Sequence, residues 1–254
     1  PGCARAILPG PTTDQNVHGN DGLGDVGLPD TAALPAGEHA VRHLIDTVQA
    51  YPGEITICAI GPMTNIALAL IQEPCIAESI REIVFMGGAA FVPGNTTERA
   101  EFNIWSDPHA ARVVLGSGVP LTMFGLDVTR RARFSLEWLA AQERAARTPV
   151  ASVGMAMLRQ YLRGDPCLHD PCVIAHLIDP TLFAAVGARV DVECSPGPAY
   201  GQTVATTVLD KGSSAASGNC RVMTEVENER LLALLARKLN RQEHAFARHW
   251  TMQA

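Results

Sequence analysis

The alternation of short apolar runs with helical segments constrains the fold of this chain most. Three runs, Glu54–Ile60, Ile80–Met86 and Pro120–Leu126, are rich in the apolar and β-branched residues of buried strands. Helical segments at Thr64–Leu70 and Asp107–Gly116 separate them. This order of strand, helix, strand, helix, strand predicts βαβ units, and therefore an open, mostly parallel α/β sheet flanked by helices.

The remaining segments complete the prediction of a single domain over residues 1–254. Apolar spacing predicts helices at 37–51, at 135–161 with a break near Thr148, at 172–177 and at 227–240. Further strands are expected at 189–194, 202–209 and 221–226, the first two as an antiparallel edge pair. A small-residue turn is expected at 211–219 and a frayed tail beyond Arg241.

The composition favours a globular domain and argues against several classes of partner. The 254 residues are 47% hydrophobic and 18% charged, which supports a real apolar core. The net charge of −6 argues against nucleic acid and anionic membrane surfaces as partners. No apolar run is long enough to span a bilayer. The seven cysteines are scattered and contain no Cys-x-x-Cys pair, which favours a reducing cytoplasm.

Polar side chains concentrate where the second apolar run ends. A glycine pair follows Met86, and the loop beyond it holds Asn95, Glu101 and Asn103. Ligands of open α/β sheets bind beyond the carboxyl ends of strands, so we expect a substrate at this loop. Its amide and carboxylate groups suit a small polyhydroxylated molecule better than a phosphate. Taken alone, Asn95 could also be a plain turn residue and Glu101 a solvated charge.

Two further loops carry candidate functional groups. The segment His18–Asp25 is too rich in glycine for a regular element and predicts a structured loop. His169 and Asp170 precede a proline, and this order also fits a helix N-cap, because Asp caps well and Pro suits the first helical turn. The short basic run at 130–133 is expected to be solvated.

Six blocks of the sequence together resemble the inosine–uridine-type nucleoside hydrolases. Their order and spacing extend the resemblance over nearly the whole chain, and no single block would suffice. The blocks are His18–Asp25, Ala59–Leu68, Met86–Ala89 with Gly94 and Asn95, Ala100–Ile104 with Asp107 and Pro108, Gly125–Thr129, and His169–Pro171. The resemblance implies a Rossmann-like nucleoside hydrolase fold.

The resemblance also implies a reaction, in which water cleaves the N-glycosidic bond of uridine-, inosine- or cytidine-type ribonucleosides to ribose and free base. Such bonds break through a transition state that resembles an oxocarbenium ion. Asn95, Glu101 and Asn103 would hydrogen-bond the ribose hydroxyls, and the Glu101 charge would favour the developing cation. Met86 would line the sugar pocket, or merely fill core.

A bound Ca²⁺ ion and a proton donor to the leaving base are implied in the same way. The carboxylate of Asp170 and the backbone carbonyl of Ile60 would be oxygen ligands of the ion, which would orient the ribose diol and lower the pKa of the attacking water. His169 and His18 would lie near the nucleobase and help to protonate it. Tyr161 would stack on the base or relay a proton, with core packing as the alternative.

One departure from the family pattern bears on activity. Members open with a strand that ends in Asp-Thr-Asp-x-x-x-Asp-Asp, which supplies most calcium ligands and the general base. The 254 residues contain no such cluster, because Asp21 and Asp25 belong to the His18 block. We therefore expect the first strand and helix of the fold to be missing, an unpaired position in the sheet, weak calcium binding and little hydrolase activity.

The sequence leaves other functions and the assembly state open. A non-catalytic nucleoside- or ribose-binding protein that kept the sugar loop would show the same motifs without the aspartate cluster. A degenerate, truncated reading frame is a third possibility. By resemblance, the expected partners are a small-molecule ribonucleoside and further copies of the chain in a homodimer or homotetramer.

Overall fold

A computed structural model describes residues 1–10, 18–28, 35–162, 164–208 and 218–241. The predicted tail beyond Arg241, and the predicted small-residue turn except for its last two residues, lie outside this description. Within it, no helix is long and apolar enough to cross a membrane.

A six-stranded mixed sheet, counted over the described residues, organises the fold. The strands are β1 (Ile55–Ala59), β2 (Ile80–Met86), β3 (Leu121–Phe124), β4 (Phe183–Val192), β5 (Thr203–Thr207) and β6 (Cys220–Val226). Their spatial order is β1-β2-β3-β6-β4-β5. Strands β1, β2, β3 and β6 run parallel, whereas β4 is antiparallel to both β5 and β6. The predicted mostly parallel α/β sheet is confirmed, and so is the antiparallel edge pair.

Helices connect these strands as the sequence predicts, with two short additions. The helices are α1 (Ala40–Ala50), α2 (Thr64–Gln72), α3 (Phe102–Ser106), α4 (Pro108–Leu115), α5 (Leu126–Thr129), α6 (Leu136–Ala145), α7 (Pro149–Tyr161), α8 (Asp170–Ile178) and α9 (Asn228–Leu239). The predicted break near Thr148 is the N-cap of α7, where the Thr148 side chain accepts a hydrogen bond from the Ala151 N–H. The additions are α3 and α5, each of only one turn.

The chain separates into two compact units. The first comprises Pro1–Asp14, Asp30–Arg133 and Cys167–Asn228 and contains the whole described sheet. The second comprises Gln15–Pro29, Phe134–Pro166 and Glu229–Ala254, and so includes α6 and α7. In the second unit an Arg159–Glu143 ion pair joins α7 to α6. The sequence prediction of a single domain over 1–254 stays a prediction.

The core of the first unit lies around β2 and β3. Four consecutive β2 residues from Ile83 to Met86 are at most 3% exposed, although successive side chains of a strand point to opposite faces. Both faces of the sheet are therefore covered at this point, as expected of parallel strands in an α/β fold.

Strand β1 forms one edge of the described sheet. It hydrogen-bonds to β2 on one side, and its residues from Ile55 to Cys58 are only half-buried. This edge is compatible with the unpaired position expected from the sequence. The expectation that a first strand and helix are missing stays a prediction.

Candidate active site

Candidate segments of the first unit follow the carboxyl ends of the parallel strands and therefore lie at one end of the sheet. Because β1, β2 and β3 run parallel, Ile60, Gly87 and Gly125 follow their strands at this same end. The segment from Gly87 to Glu101 connects β2 to α3, and we call it the sugar loop after the ligand that the sequence predicts for it. This is the position at which open α/β sheets bind ligands.

The first five residues of the sugar loop are held by hydrogen bonds at every backbone N–H. The five consecutive backbone N–H groups from Gly87 to Phe91 each donate to an acceptor elsewhere in the first unit. In chain order, the acceptors are Phe124 O at 3.2 Å, Glu101 Oε2 at 2.8 Å, Thr203 Oγ1 at 3.3 Å, Asp127 Oδ2 at 2.9 Å and Asp127 Oδ1 at 2.7 Å. The loop is therefore built before any ligand arrives, which lowers the entropic cost of binding.

Two glycines allow the loop to lie this close to its neighbours. Gly88 has φ +82°, and a Cβ there would lie 2.6 Å from Met123 Cε and 2.7 Å from Thr203 Oγ1. A Cβ on Gly94 would lie 2.3 Å from the carbonyl oxygen of Ala100. Neither position accommodates a side chain without a shift of its surroundings.

Glu101 is buried, so its alternative interpretation as a solvated charge is wrong. Its side chain is the N-cap of α3 and accepts the N–H groups of Asn103 at 3.0 Å and Ile104 at 3.2 Å, in addition to that of Gly88. Burial raises the pKa of the Glu101 carboxyl above its ordinary value, and these N–H donors and the nearby His169 offset only part of that rise. The result is a carboxylate fixed in a dry setting within electrostatic reach of His169.

The two candidate asparagines, Asn95 and Asn103, precede and follow Glu101 in the sequence. The Asn103 side-chain amide donates to the Met86 carbonyl at 3.0 Å and contacts its sulfur at 3.3 Å. Met86 is 3% exposed, so it supports Asn103 from within the core. Asn95 is exposed, and its Oδ1 accepts the Phe102 N–H at 3.0 Å, so it shares the start of α3 with Glu101.

His169 and Asp170 stand at the start of α8. His169 occupies the N-cap position without a side-chain capping bond, and its Nδ1 lies 2.9 Å from Thr129 Oγ1. Asp170 is the first helical residue, where the positive end of the helix dipole favours a carboxylate. The pair therefore forms the N-terminus of α8 in front of Pro171, as the N-cap alternative expected, with His169 rather than Asp170 in the N-cap position.

His18 and Tyr161 are brought together in the second unit. The Tyr161 hydroxyl and His18 Nδ1 share a hydrogen bond, and the two rings meet edge to face with centroids 5.8 Å apart. Tyr161 is half-buried at the end of α7, so it is not sealed in a core. The block that follows His18 folds on itself as expected, with Asp25 Oδ1 accepting the Asn20 N–H at 2.8 Å.

The donors available for a metal in the first unit are of two kinds. The Asp170 carboxylate and the Ile60 carbonyl, which lies in a half-exposed residue directly after β1, are the hard oxygen donors that calcium requires. They fit such an ion chemically but supply two of the six to eight ligands that calcium takes. The Cys167 thiol and a ring nitrogen of His169 lie within 4.8 Å of each other, a pair that suits softer metals.

Three residues that the sequence did not single out take part in this arrangement. Asp127 and Thr129 belong to a block that carried the resemblance but received no role, and Arg130 was expected to be solvated. Arg130 instead donates to the carbonyl oxygens of Pro93 at 2.7 Å and Gly94 at 2.6 Å. The sequence offered one signal for Asp127, which directly follows a predicted buried strand. Because carboxylates are rarely buried without partners, an acidic residue at that position indicates that it binds other groups.

The chain is similar to known nucleoside hydrolases over most of its length. The family model described as inosine-uridine preferring nucleoside hydrolase matches residues 1–233. The pyrimidine-specific ribonucleoside hydrolase RihB of Escherichia coli O157:H7 is 39% identical over 212 residues, which cover 80% of this chain and 67% of RihB.

Two solved structures share the fold. The plant nucleoside hydrolase PpNRh1 superposes with a TM-score of 0.84 at 27% identity, over 95% of this chain and 80% of the plant enzyme. A purine-preferring ribonucleoside hydrolase from Gardnerella vaginalis gives a TM-score of 0.83 at 31% identity, over 94% and 78% of the respective chains.

Proposed function

The chain belongs to the inosine-uridine preferring nucleoside hydrolase family, whose members are hydrolases acting on N-glycosyl bonds, and from that premise we propose a specific reaction. The chain cleaves pyrimidine ribonucleosides to ribose and free base, with a calcium ion in the site. The observation that carries this proposal is the prebuilt arrangement at the carboxyl ends of the parallel strands, where buried Glu101 ends the sugar loop and half-buried Asn103 follows it in α3.

Residues of the sugar loop and of the adjoining β2 and α3 act on the ribose. As the bond between C1′ and the base nitrogen breaks, its electron pair leaves with the base and positive charge develops on the sugar. The fixed Glu101 carboxylate favours that charge, and no reorganisation is needed because backbone N–H groups already hold it. Asn95 and Asn103 bind the ribose hydroxyls, and Met86 supports Asn103. Water then adds to C1′ and releases one proton to the solvent, so that the sugar leaves as neutral ribose.

The histidines act on the leaving base. His169, whose ring is oriented by Thr129, donates a proton to the departing base nitrogen. The same role is proposed for His18, with the Tyr161 hydroxyl as its proton partner. Proton donation matters most for a nucleoside, because an unprotonated base is a poor leaving group.

The metal is proposed from the chemistry of two donors. Asp170 and the Ile60 carbonyl would hold calcium, which when bound would orient the ribose diol and lower the pKa of the attacking water. The 254 residues lack the aspartate cluster that supplies most ligands in the family. We therefore expect low calcium affinity and slow turnover from this chain.

A preference for pyrimidines is supported by one relative and opposed by another. RihB of Escherichia coli O157:H7, at 39% identity, is described as pyrimidine-specific, whereas the Gardnerella vaginalis enzyme, at 31%, is described as purine-preferring. The higher identity favours uridine and cytidine over inosine as substrates.

Hydrolysis of uridine, cytidine and inosine by the 254-residue chain, with and without excess calcium, tests this proposal. We expect slow, calcium-stimulated turnover that favours uridine and is lost in Asn103→Ala. A chimera that carries the aspartate-cluster segment of the Escherichia coli relative should turn over at least about 100-fold faster. Turnover at the rate of a complete family enzyme by the chain alone would contradict the proposed impairment. An inactive chimera would contradict the hydrolase assignment.

A non-catalytic ribose- or nucleoside-binding protein is the second candidate. It is favoured by the prebuilt sugar loop, whose carboxylate and amide groups would bind a ribose whether or not water attacks the sugar. Calorimetric binding of ribose by the chain, combined with an inactive chimera, would support the binding protein over the enzyme.

Compartment and assembly complete the proposal. All seven cysteines lie in the described part of the chain and none forms a disulfide, which supports a reducing cytoplasm. A homodimer or homotetramer is proposed by analogy with the family, and sedimentation of the purified chain measures it.

A further inference from the structure

The one-turn helix α5 lies directly against the sugar loop. Its N-terminal neighbour Gly125 approaches so closely that a Cβ there would lie 2.9 Å from the Gly88 carbonyl oxygen and 2.8 Å from Asp127 Oδ2. The Leu126 N–H donates to that same Gly88 carbonyl at 2.9 Å. The start of α5 and the start of the sugar loop are therefore joined through the backbone.

The Asp127 side chain holds the first half of the loop. It is 7% exposed, and its two oxygens accept the N–H groups of Ala90 at 2.9 Å and Phe91 at 2.7 Å. Hydrogen bonds from two adjacent peptides to one carboxylate fix the orientation of both, and charge-assisted bonds are stronger than neutral ones. A buried carboxylate without such donors would be strongly unfavourable.

The Arg130 side chain, at the other end of the same turn, holds the middle of the loop. Its two terminal nitrogens donate to the consecutive carbonyls of Pro93 and Gly94, immediately before Asn95. The planar guanidinium suits two parallel bonds of this kind, which lysine cannot reproduce. Asp127 and Arg130 thus fix the peptides on both sides of Val92.

Between these two residues, Thr129 holds the candidate proton donor. It is fully buried, and its Oγ1 lies 2.9 Å from His169 Nδ1. A bond to one ring nitrogen determines the direction in which the other points. The three side chains therefore contact the sugar loop and His169 from a single stretch of four residues.

We propose that the segment Asp127–Arg130 is a positioning element that sets the sugar-binding groups and His169 in a fixed relation, an inference that rests on the proposed hydrolase function. Its side chains contact backbone groups of the loop and the His169 ring, so they act through other residues. Small misplacements of such groups lower reaction rates steeply. Asp127 and Arg130 should govern ribose binding, whereas Thr129 should govern protonation of the base.

Near-isosteric variants test the proposed role of Asp127 and Arg130 in ribose binding separately from the proposed role of Thr129 in base protonation. In Asp127→Asn an amide NH₂ faces one of the two backbone N–H groups, so exchange of the Ala90 and Phe91 amide hydrogens should accelerate at least about tenfold. The KM for uridine and for a nitrophenyl riboside should rise by the same factor, about tenfold, since both carry ribose. Arg130→Lys should act in the same direction with a smaller effect.

Thr129→Val should change a different quantity. It should lower kcat for uridine about tenfold while leaving kcat for the nitrophenyl riboside, whose leaving group needs no proton, within about twofold. Thr129→Ser should restore kcat, because it returns the hydroxyl. Arg131 directly follows this segment and forms an ion pair with Glu225, so Arg131→Gln is the matched control and should change none of these values.

The outcomes distinguish this inference from the function on which it rests. The inference would be overturned if Asp127→Asn had the same amide hydrogen exchange and the same KM as the wild type. It would also be overturned if Thr129→Val lost kcat equally on both substrates. Faster exchange throughout β2 and β3, which would indicate general loosening, would overturn it as well. If the wild-type chain cleaves neither substrate, the hydrolase proposal fails. Loop exchange in Asp127→Asn and the His169 ring ¹⁵N shifts in Thr129→Val then still decide the positioning role.

Discussion

At the scale of single residues, the site depends on a carboxylate that is kept both dry and ionisable. Glu101 is 2% exposed, and its oxygens accept three backbone N–H groups. Removal from water favours the protonated acid, whereas these donors favour the carboxylate. The three N–H donors thus fix the carboxyl group in one orientation.

Glu101→Gln should damage both stability and activity. The glutamine amide presents N–H groups to at least one backbone N–H, so we expect a loss of about 1–3 kcal/mol in the free energy of unfolding. Removal of the charge that faces the cationic sugar should lower kcat at least about 100-fold. Urea unfolding and uridine kinetics measure these effects. Glu98→Gln, in an exposed position of the same loop, is the control. Equal behaviour of the two variants would count against a role for Glu101.

Polar residues that stand in a recognisable motif could be singled out from the sequence. Residues that act on a partner far away along the chain could not. Asn103 and Glu101 were singled out from the loop itself. Asp127 holds a peptide 36 residues away, and Arg130 holds one 37 residues away. Such contacts arise from the parallel pairing of β2 and β3, which brings together segments that no local pattern connects.

At the scale of elements, the sequence located strands where their own residues prefer an extended backbone. The prediction for Ile80–Met86 coincides with β2. By contrast, β4 begins at Phe183, six residues before the predicted start at Arg189. The added residues are mostly alanine and glycine, which carry little strand preference, and pairing with β6 holds them extended. Helices α3 and α5 are too short to show a helical period.

Replacing Gly88 in the sugar loop by alanine should cost more stability than the same change at Gly118, a left-handed glycine outside the loop. Gly88→Ala must place its Cβ 2.6 Å from Met123 Cε, and Met123 is itself buried. Gly118 has nearly the same φ, +81°, but open space around a Cβ. Gly118→Ala should therefore cost about 1–2 kcal/mol of backbone strain, and Gly88→Ala roughly 3 kcal/mol or more. Denaturant midpoints compare the two, and equal losses would contradict a tight approach at Gly88.

At the scale of the whole molecule, the alternation of strands and helices was enough to predict the sheet, because each βαβ unit carries its own pattern. The division into two units was not predictable in this way. The second unit is assembled from three separate stretches of the chain, and it contains His18 and Tyr161. Nothing in the local sequence at 15–29 indicates that it belongs with α7, since that grouping arises only in the folded chain.

Calcium should stabilise the 254-residue chain only slightly. With two oxygen donors from Asp170 and Ile60, a dissociation constant on the order of 0.1–1 mM is the range of weak calcium sites. At a calcium concentration of about 1 mM this corresponds to about 0.4–1.4 kcal/mol, and a chain of this size would then melt about 1–5 °C higher than in EDTA. Thermal unfolding with calcium, magnesium or EDTA measures the shift, which should disappear in Asp170→Ala. A calcium-specific rise above about 10 °C, or one retained in Asp170→Ala, would require a stronger set of ligands than these two donors.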